Sequence, residues 1–375
     1  MSNDWSSVDL NNKHEEKTQQ YSTWGDKLLQ HTDVLHSIQN DKKFKPITIQ
    51  LAPNEMCDSD CPFCSVAGRP LKSYIPFNKI QKILQDFKDL GAKSLEITGG
   101  GNPMLYRDKD EKKDINDIIE YAYELGYKIG IISNSHKLKK IKTENHDKIS
   151  WVRISLIKLD ENVEPEDYDF NDFPYDRLGF SYIIYDTGGV PDELSRTGKA
   201  YKGTTVETIE KIAKMVSLHP EIKFVRLAGN CLIKGNNQSV KDKYKKIIDA
   251  IDKHNKFFIK DIGEDDSPYN NGCYVGLVRP YIAPNPHGGD YQVYTCTSHV
   301  LQKRTYDLDY SLGSIDDIKG IWERANKKYE EVGYPYEVKN NNGKDWCSNC
   351  KFCYYKFNNK LLHTVANEME DKDFP

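Results

Sequence analysis

The stretch Met56–Cys64 reads M-C-D-S-D-C-P-F-C and carries three thiols, Cys57, Cys61 and Cys64, in the spacing C-x3-C-x2-C. It follows directly on Pro46–Leu51 (P-I-T-I-Q-L), a strand pattern. A cubane 4Fe-4S cluster has four irons that each want an outer ligand, and thiolates on a short loop supply them. Three cysteines fill three corners and leave the fourth iron open to a small molecule. A structural zinc site instead wants four protein ligands, usually from C-x2-C pairs, and the x3 spacing argues against it.

Outward from this loop, the chain alternates strand and helix patterns. Asn78–Leu90 places Ile80, Ile83, Leu84 and Phe87 on one helical face, closed by Gly91. Strands are predicted at Lys93–Thr98, Tyr127–Ser133, Trp151–Leu156, Gly179–Tyr185 and Lys223–Ala228. Helices are predicted at Asp114–Leu125, Val206–Val216 and Lys243–Ile251, with a short basic helix after Ser133. Six strands in this rhythm predict an α/β fold with a parallel sheet and crossover helices. Such sheets carry their sites at the C-terminal ends of the strands, where the cysteine loop falls.

The expected divisions are a polar arm over 1–45 with one helix around Trp24–Ile38, a core over 46–262, a cysteine-rich unit over 263–358, and a tail over 359–375. The texture changes at D-I-G-E-D-D-S-P-Y-N-N-G, which reads as a linker.

The 375 residues are 38% apolar and 29% charged with a net charge of -4, which suits a soluble protein and gives no nucleic-acid footprint. The opening M-S-N-D-W-S-S-V-D-L lacks a basic region followed by an apolar run, so no signal peptide is expected. No window approaches the roughly 18 apolar residues of a membrane span. The reading is therefore cytoplasmic, where thiols stay reduced, and nine clustered cysteines point to metal or redox chemistry rather than disulfides.

The C-x3-C-x2-C run, with the aromatic Phe63 before its last cysteine and a strand before it, resembles the radical S-adenosylmethionine (radical SAM) superfamily. That resemblance implies a partial (β/α)6 barrel, a 4Fe-4S cluster on Cys57, Cys61 and Cys64, and SAM chelated to the open iron. It implies cleavage of SAM to methionine and a 5′-deoxyadenosyl radical that abstracts hydrogen from substrate. Thr98-Gly99-Gly100-Gly101-Asn102-Pro103 is similar to the superfamily's glycine motif, whose backbone meets the SAM amino group. The usual form is Gly-Gly-Glu-Pro, and here Gly101 replaces Glu with Asn102 inserted before Pro103. The resemblance further implies Ser133, Asn134, Arg153 and Ser155 near the ribose and carboxylate of SAM, and Phe63 near its adenine. A flavodoxin or ferredoxin would supply the electron.

Cys273 and Cys296 bracket a predicted β-hairpin, and Cys347, Cys350 and Cys353 close the region in W-C-S-N-C-K-F-C-Y. With S-L-G-S-I and D-I-K-G-I-W between, this resembles the SPASM and twitch extensions of radical SAM enzymes. The full SPASM pattern has seven cysteines and two clusters. Five here fit a single second 4Fe-4S cluster, on Cys273, Cys296, Cys347 and either Cys350 or Cys353. A zinc site on the last three is the alternative.

Cys231 follows the sixth strand in A-G-N-C-L-I, beside Asn230. At the sheet's mouth its thiol would donate a hydrogen atom or a proton; otherwise it is a buried small hydrophobe. Asp186–Gly203 is long, polar and glycine-rich, as lids are, and Arg196 and Lys199 within it would meet an anionic group. The substrate expected is a small metabolite or a peptide. Modification of a nucleotide or nucleic acid is the second reading, for which only the basic run Lys137–Lys142 speaks. A non-catalytic Fe-S or zinc module is the third.

Overall fold

In the computed structural model, the described residues are 13–22, 25–64, 66–67, 69, 71–186, 190, 195, 203–230, 232–233, 236–260, 273–284, 291–297, 311–333, 335 and 355–367. Cys231, Arg196, Lys199, Cys347, Cys350 and Cys353 lie outside them, as does the linker segment 261–272.

The strands are β1 (Thr48–Leu51), β2 (Ser94–Ile97), β3 (Lys128–Ser133), β4 (Ile149–Ser155), β5 (Leu178–Ile184), β6 (Phe224–Gly229), β7 (Phe257–Ile259), β8 (Tyr281–Pro284), β9 (Tyr291–Tyr294) and β10 (Ser311–Ser314). They form one sheet in the order β10-β9-β8-β1-β2-β3-β4-β5-β6-β7. From β8 through β7 every pairing is parallel; only β8–β9 and β9–β10 are antiparallel. Parallel neighbours need crossovers, and α-helices supply four of them. These are α3 (Phe77–Asp89) between β1 and β2, α4 (Ile115–Glu124) between β2 and β3, α5 (Val206–Leu218) between β5 and β6, and α6 (Asn236–Ile251) between β6 and β7.

The periodicities explain the layers. Along β1, Ile49 and Leu51 are fully buried, and α3 lays Phe77, Ile80, Ile83, Leu84 and Phe87 into the same core. The other face of the sheet is different. It carries Thr48 and Gln50 of β1, Ser94 and Glu96 of β2, and Trp151 and Arg153 of β4, with Thr48 bonded to Ser94 at 2.7 Å and Gln50 donating to Glu96 at 2.6 Å. Residues from β1 and from the start of β6 line one common cavity, so the sheet curls.

The arm is structured on the core. Helix α1 (Lys13–Tyr21) lies along the β7 edge, where Lys17 donates to Asn255 Oδ1 at 2.9 Å and Tyr21 stacks on Phe224 at 4.7 Å. The single helix expected around Trp24–Ile38 is instead a 3-10 segment, Gly25–Gln30, followed by α2 (Thr32–Asn40). The basic run Lys137–Lys142 is a turn rather than a helix. Leu138 N donates to the Asp169 carbonyl at 2.9 Å, and this bridge to a distant segment takes the place of a helical ladder, with Leu138 and Ile141 buried. The expected hairpin between Cys273 and Cys296 is β8 and β9, and β8 pairs with β1, so it extends the main sheet. Helices α7 (Val275–Val278), α8 (Ile318–Val332) and α9 (Lys356–Ala366) complete this end.

Candidate functional site

The cysteine loop leaves β1 and is gripped from below by the turn after β2. Asn102 N donates to the Met56 carbonyl at 2.7 Å, and Gly101 N to that of Asn54 at 3.2 Å. The glycines make this approach possible. A Cβ at Gly100 would fall on the Glu55 carboxylate, and one at Gly101 on the Met56 carbonyl oxygen. The expected role of the triplet was contact with a cofactor; its visible role is to let two loops touch.

Asn102, which the sequence offered only as an insertion, is the hub of the site. It is buried and donates to Asp58 at 3.2 Å and to Ser135 at 2.9 Å. Its side-chain Oδ1 accepts from Ser133 Oγ at 2.9 Å and from Met104 N at 3.1 Å. Asn134 donates to Ser59 at 2.7 Å and reaches Cys57 Sγ at 3.7 Å. The ends of β1, β2 and β3 are thus stitched together, and Ser133 and Asn134 stand beside the cysteines.

Around the thiols, three features were not legible in the sequence. Arg69 donates to Cys64 Sγ at 3.3 Å and is ion-paired with Glu55 at 3.3 Å, both nearly fully buried. Lys158, in the 3-10 segment after β4, pairs with Asp58 at 3.2 Å and Glu161 at 2.9 Å. Asp160 accepts from the phenols of Tyr182 and Tyr185 at 2.9 and 3.0 Å, and Tyr185 meets Phe63 edge to face at 4.9 Å. Charged residues in loops ordinarily face solvent, so nothing in their spacing marks these.

The electrostatics follow from burial. Burial pushes the Cys57 thiol up, and burial with the neighbouring Cys64 and Cys57 pushes Cys61 further. Burial pulls Arg69 down, but Cys64, Cys57 and Glu55 outweigh it and hold the cation above its ordinary value. For Asp58, burial raises the carboxyl, and Lys158 and Asn102 more than reverse that.

The donor set fits an iron–sulfur cluster. It is three soft sulfurs on one loop, with N–H groups from Arg69 and Asn134 aimed at two of them and a fixed positive charge to offset anionic sulfur. Among the described residues, no three His, Cys, Asp or Glu side chains are gathered tightly enough for a single metal ion.

Other expected residues lie elsewhere. Ser155 ends β4 near this mouth, whereas Arg153 points into the cavity on the inner face of the sheet. Val190 N donates to Pro62 O at 3.0 Å and Ser195 to Asp60 at 3.2 Å, so two points of the segment after β5 touch the cysteine loop. Asn230 is buried and caps its own turn by accepting from Leu232 N at 3.0 Å.

Cys273 and Cys296 are both buried on adjoining loops, since a Cβ at Gly276 would meet Thr295 Cα at 2.7 Å. Asn359 of α9 lies against Cys273 Sγ at 4.0 Å. Tyr355, two residues after Cys353, accepts from Arg279 at 2.7 Å and lies 3.4 Å from Thr297, which follows Cys296.

No family model matches the chain, and no curated protein matches it. Among solved structures it is similar to SuiB of Streptococcus suis bound to S-adenosylmethionine, at 16% identity, 72% of this chain, 65% of that chain and a TM-score of 0.45. It is similar to native anSMEcpe with bound AdoMet and Kp18Cys peptide, at 14% identity, 84% and 88% coverage and a TM-score of 0.46. It is also similar to BtrN in complex with AdoMet and 2-DOIA, at 12% identity, 78% and 88% coverage and a TM-score of 0.38. The chain spans just under two thirds of the SuiB chain. With its largely parallel sheet, a three-cysteine loop off the first core strand and a glycine turn off the second, the chain resembles the radical SAM superfamily.

Proposed function

We propose that this protein is a radical SAM enzyme in which Cys57, Cys61 and Cys64 hold a 4Fe-4S cluster at the C-terminal mouth of the curled sheet. The observation that carries the reading is the docking of the Gly99–Asn102 turn and the Ser133–Asn134 strand end onto the three-cysteine loop. When bound, the cluster supplies one electron for cleaving SAM to methionine and a 5′-deoxyadenosyl radical.

The chain's own residues bind, orient and exclude water. Arg69 and Asn134 hydrogen-bond the sulfurs of Cys64 and Cys57 and fix the loop. The backbone of Gly99, Gly100 and Gly101 is the place for the SAM amino group, Ser133, Asn134 and Ser155 for its polar groups, and Phe63 for its adenine. Asp186–Gly203 closes over the loop as a lid, a role supported by the contacts of Val190 and Ser195. Cys231, beyond the sixth core strand, is the proposed hydrogen or proton donor.

Residues 263–358 then form an auxiliary unit built on the sheet's edge. Its second 4Fe-4S cluster is held by Cys273, Cys296, Cys347 and either Cys350 or Cys353. The pairing of Tyr355 with Thr297 and Arg279 supports bringing the last cysteines toward the first two. The substrate is a small metabolite or a peptide, and a flavodoxin or ferredoxin delivers the electron.

The test is iron and sulfide per chain after anaerobic reconstitution, with 5′-deoxyadenosine measured under reductant. We expect about eight irons in the parent and about four in the Cys57/Cys61/Cys64→Ala variant, with SAM cleavage abolished. Iron falling from about four to none would remove the second cluster. Undiminished cleavage in the variant would overturn the catalytic assignment.

A further inference from the structure

At the opposite mouth, where the strands begin, the curled sheet encloses a cavity of about 420 Å³. Ser94 and Lys128 open β2 and β3 there, and Gln20, Tyr21 and Ser22 of the arm close it from outside. Its lining is unbalanced in charge. Lys27, Lys128, Lys223, Arg153 and Arg279 face a single carboxylate, Glu96, among the described lining residues.

Glu96 is already committed. It accepts from Gln50 at 2.6 Å and is ion-paired with Arg279 at 3.1 Å, both partners only 12% exposed. Arg279 in turn donates to Tyr355 at 2.7 Å. Arg153, and Arg226 of β6 outside the cavity lining, share that same carboxylate, so three guanidinium groups lean on one described anion. The Nε of Arg153 and that of Arg226 are buried with no hydrogen-bond partner, and Arg153 lies over the Trp151 ring at 6.0 Å. Burial lowers both guanidinium groups, and Glu96 offsets this only in part, while Arg279 beside Arg153 and Arg153 beside Arg226 add to it. A guanidinium does not shed its proton in a protein, so the cost stays as buried positive charge that one shared carboxylate does not balance. The planar fork of Arg153, set in the cavity wall with its Nε unpartnered, matches the oxygens of a carboxylate or phosphate.

We infer that this cavity receives an oxyanion carried by the substrate, a carboxylate or a phosphate, held by Arg153 among the lining cations. The inference rests on the radical SAM reading only for the word substrate; the anion site stands on its own geometry. Arg153 lies two residues below the end of β4, roughly 7 Å at the rise of a strand. A molecule anchored there extends toward the cysteine loop along the inner face of the sheet. The site therefore selects for an acidic substrate whose reacting carbon lies about one strand-residue pair or more from its anionic group.

The experiment uses the full chain, without a need for SAM. Binding of inorganic phosphate and of glutarate is followed by calorimetric titration and thermal unfolding, against chloride at equal ionic strength. We expect saturable binding of at least one of the two anions, and the stronger one names the oxyanion. Arg153→Gln should weaken it tenfold or more, while Arg107→Gln on the surface leaves it unchanged. In chloride, Arg226→Gln should be no less stable than the parent, since it removes a buried charge. Glu96→Gln should tighten binding. Absence of saturable binding, or binding indifferent to Arg153→Gln, would overturn the site. SAM cleavage by the same preparations reports separately on the enzyme reading, so either claim can fall without the other.

Discussion

Gly101 is where side-chain volume matters most. Its missing Cβ leaves room for the Met56 carbonyl oxygen, a backbone atom that cannot swing aside as a side chain would. Gly101→Ala is therefore expected to cost about 1–3 kcal/mol in urea unfolding and to lower iron retention, because the cysteine loop must shift. Equal stability and iron content would contradict this picture. The sequence already marked Gly99–Gly101 and the three cysteines. It did not mark Arg69, Glu55 or Lys158, because an isolated charge in a loop looks the same whether solvated or buried against a thiol. Asn102 was visible only as a departure from a motif; its hydrogen bonds with Asp58, Ser135, Ser133 and Asn54 come from chain segments some thirty to fifty residues away.

At the level of elements, local signals were reliable where both period and caps agreed. Helix α4 has a capping box, with Asp114 accepting from Asn116 N and Asp117 accepting from Asp114 N, and its buried face is Ile115, Ile118, Ile119 and Ala122. Removing that cap with Asp114→Ala should lower stability by about 1 kcal/mol, with SAM cleavage kept, since the Asp114 side chain bonds Asn116 of its own helix rather than the cysteine loop. A drop in turnover without a drop in stability would argue against a purely structural cap. Signals failed where tertiary contacts took over. Leu138 and Ile141 are fully buried by neighbouring segments, so the lysine-rich run between them forms no helix of its own. Strand β7 (F-F-I) is too short to show a period, and α1 has no strong apolar stripe.

For the molecule as a whole, the arm and the C-terminal elements close the sheet that the core begins. One consequence is titration. His31, His136, His146, His219 and His363 are each held below their ordinary value of 6.5, in every case chiefly by burial. The unfolded chain then binds more protons than the native one just below that value. Stability is full above about pH 6.5 and falls as the pH drops toward the folded values. The urea midpoint should decline between pH 7.5 and 5.5, before carboxylate pairs such as Lys93–Asp33 are lost. A flat profile over that interval would refute the assignment.

By itself the sequence determined the alternation of strands and helices, the first six strands of the core, and the loop that bears the three thiols, because period, caps and cysteine spacing are local properties. Only the tertiary structure decided that β8 would lie parallel to β1 and that the arm would seal the far mouth. It also decided that Glu96, Arg153, Arg226 and Arg279, spread over some 180 residues, would meet inside one curled sheet. Such meetings depend on long-range pairing and on buried charge, and neither leaves a mark in neighbouring residues.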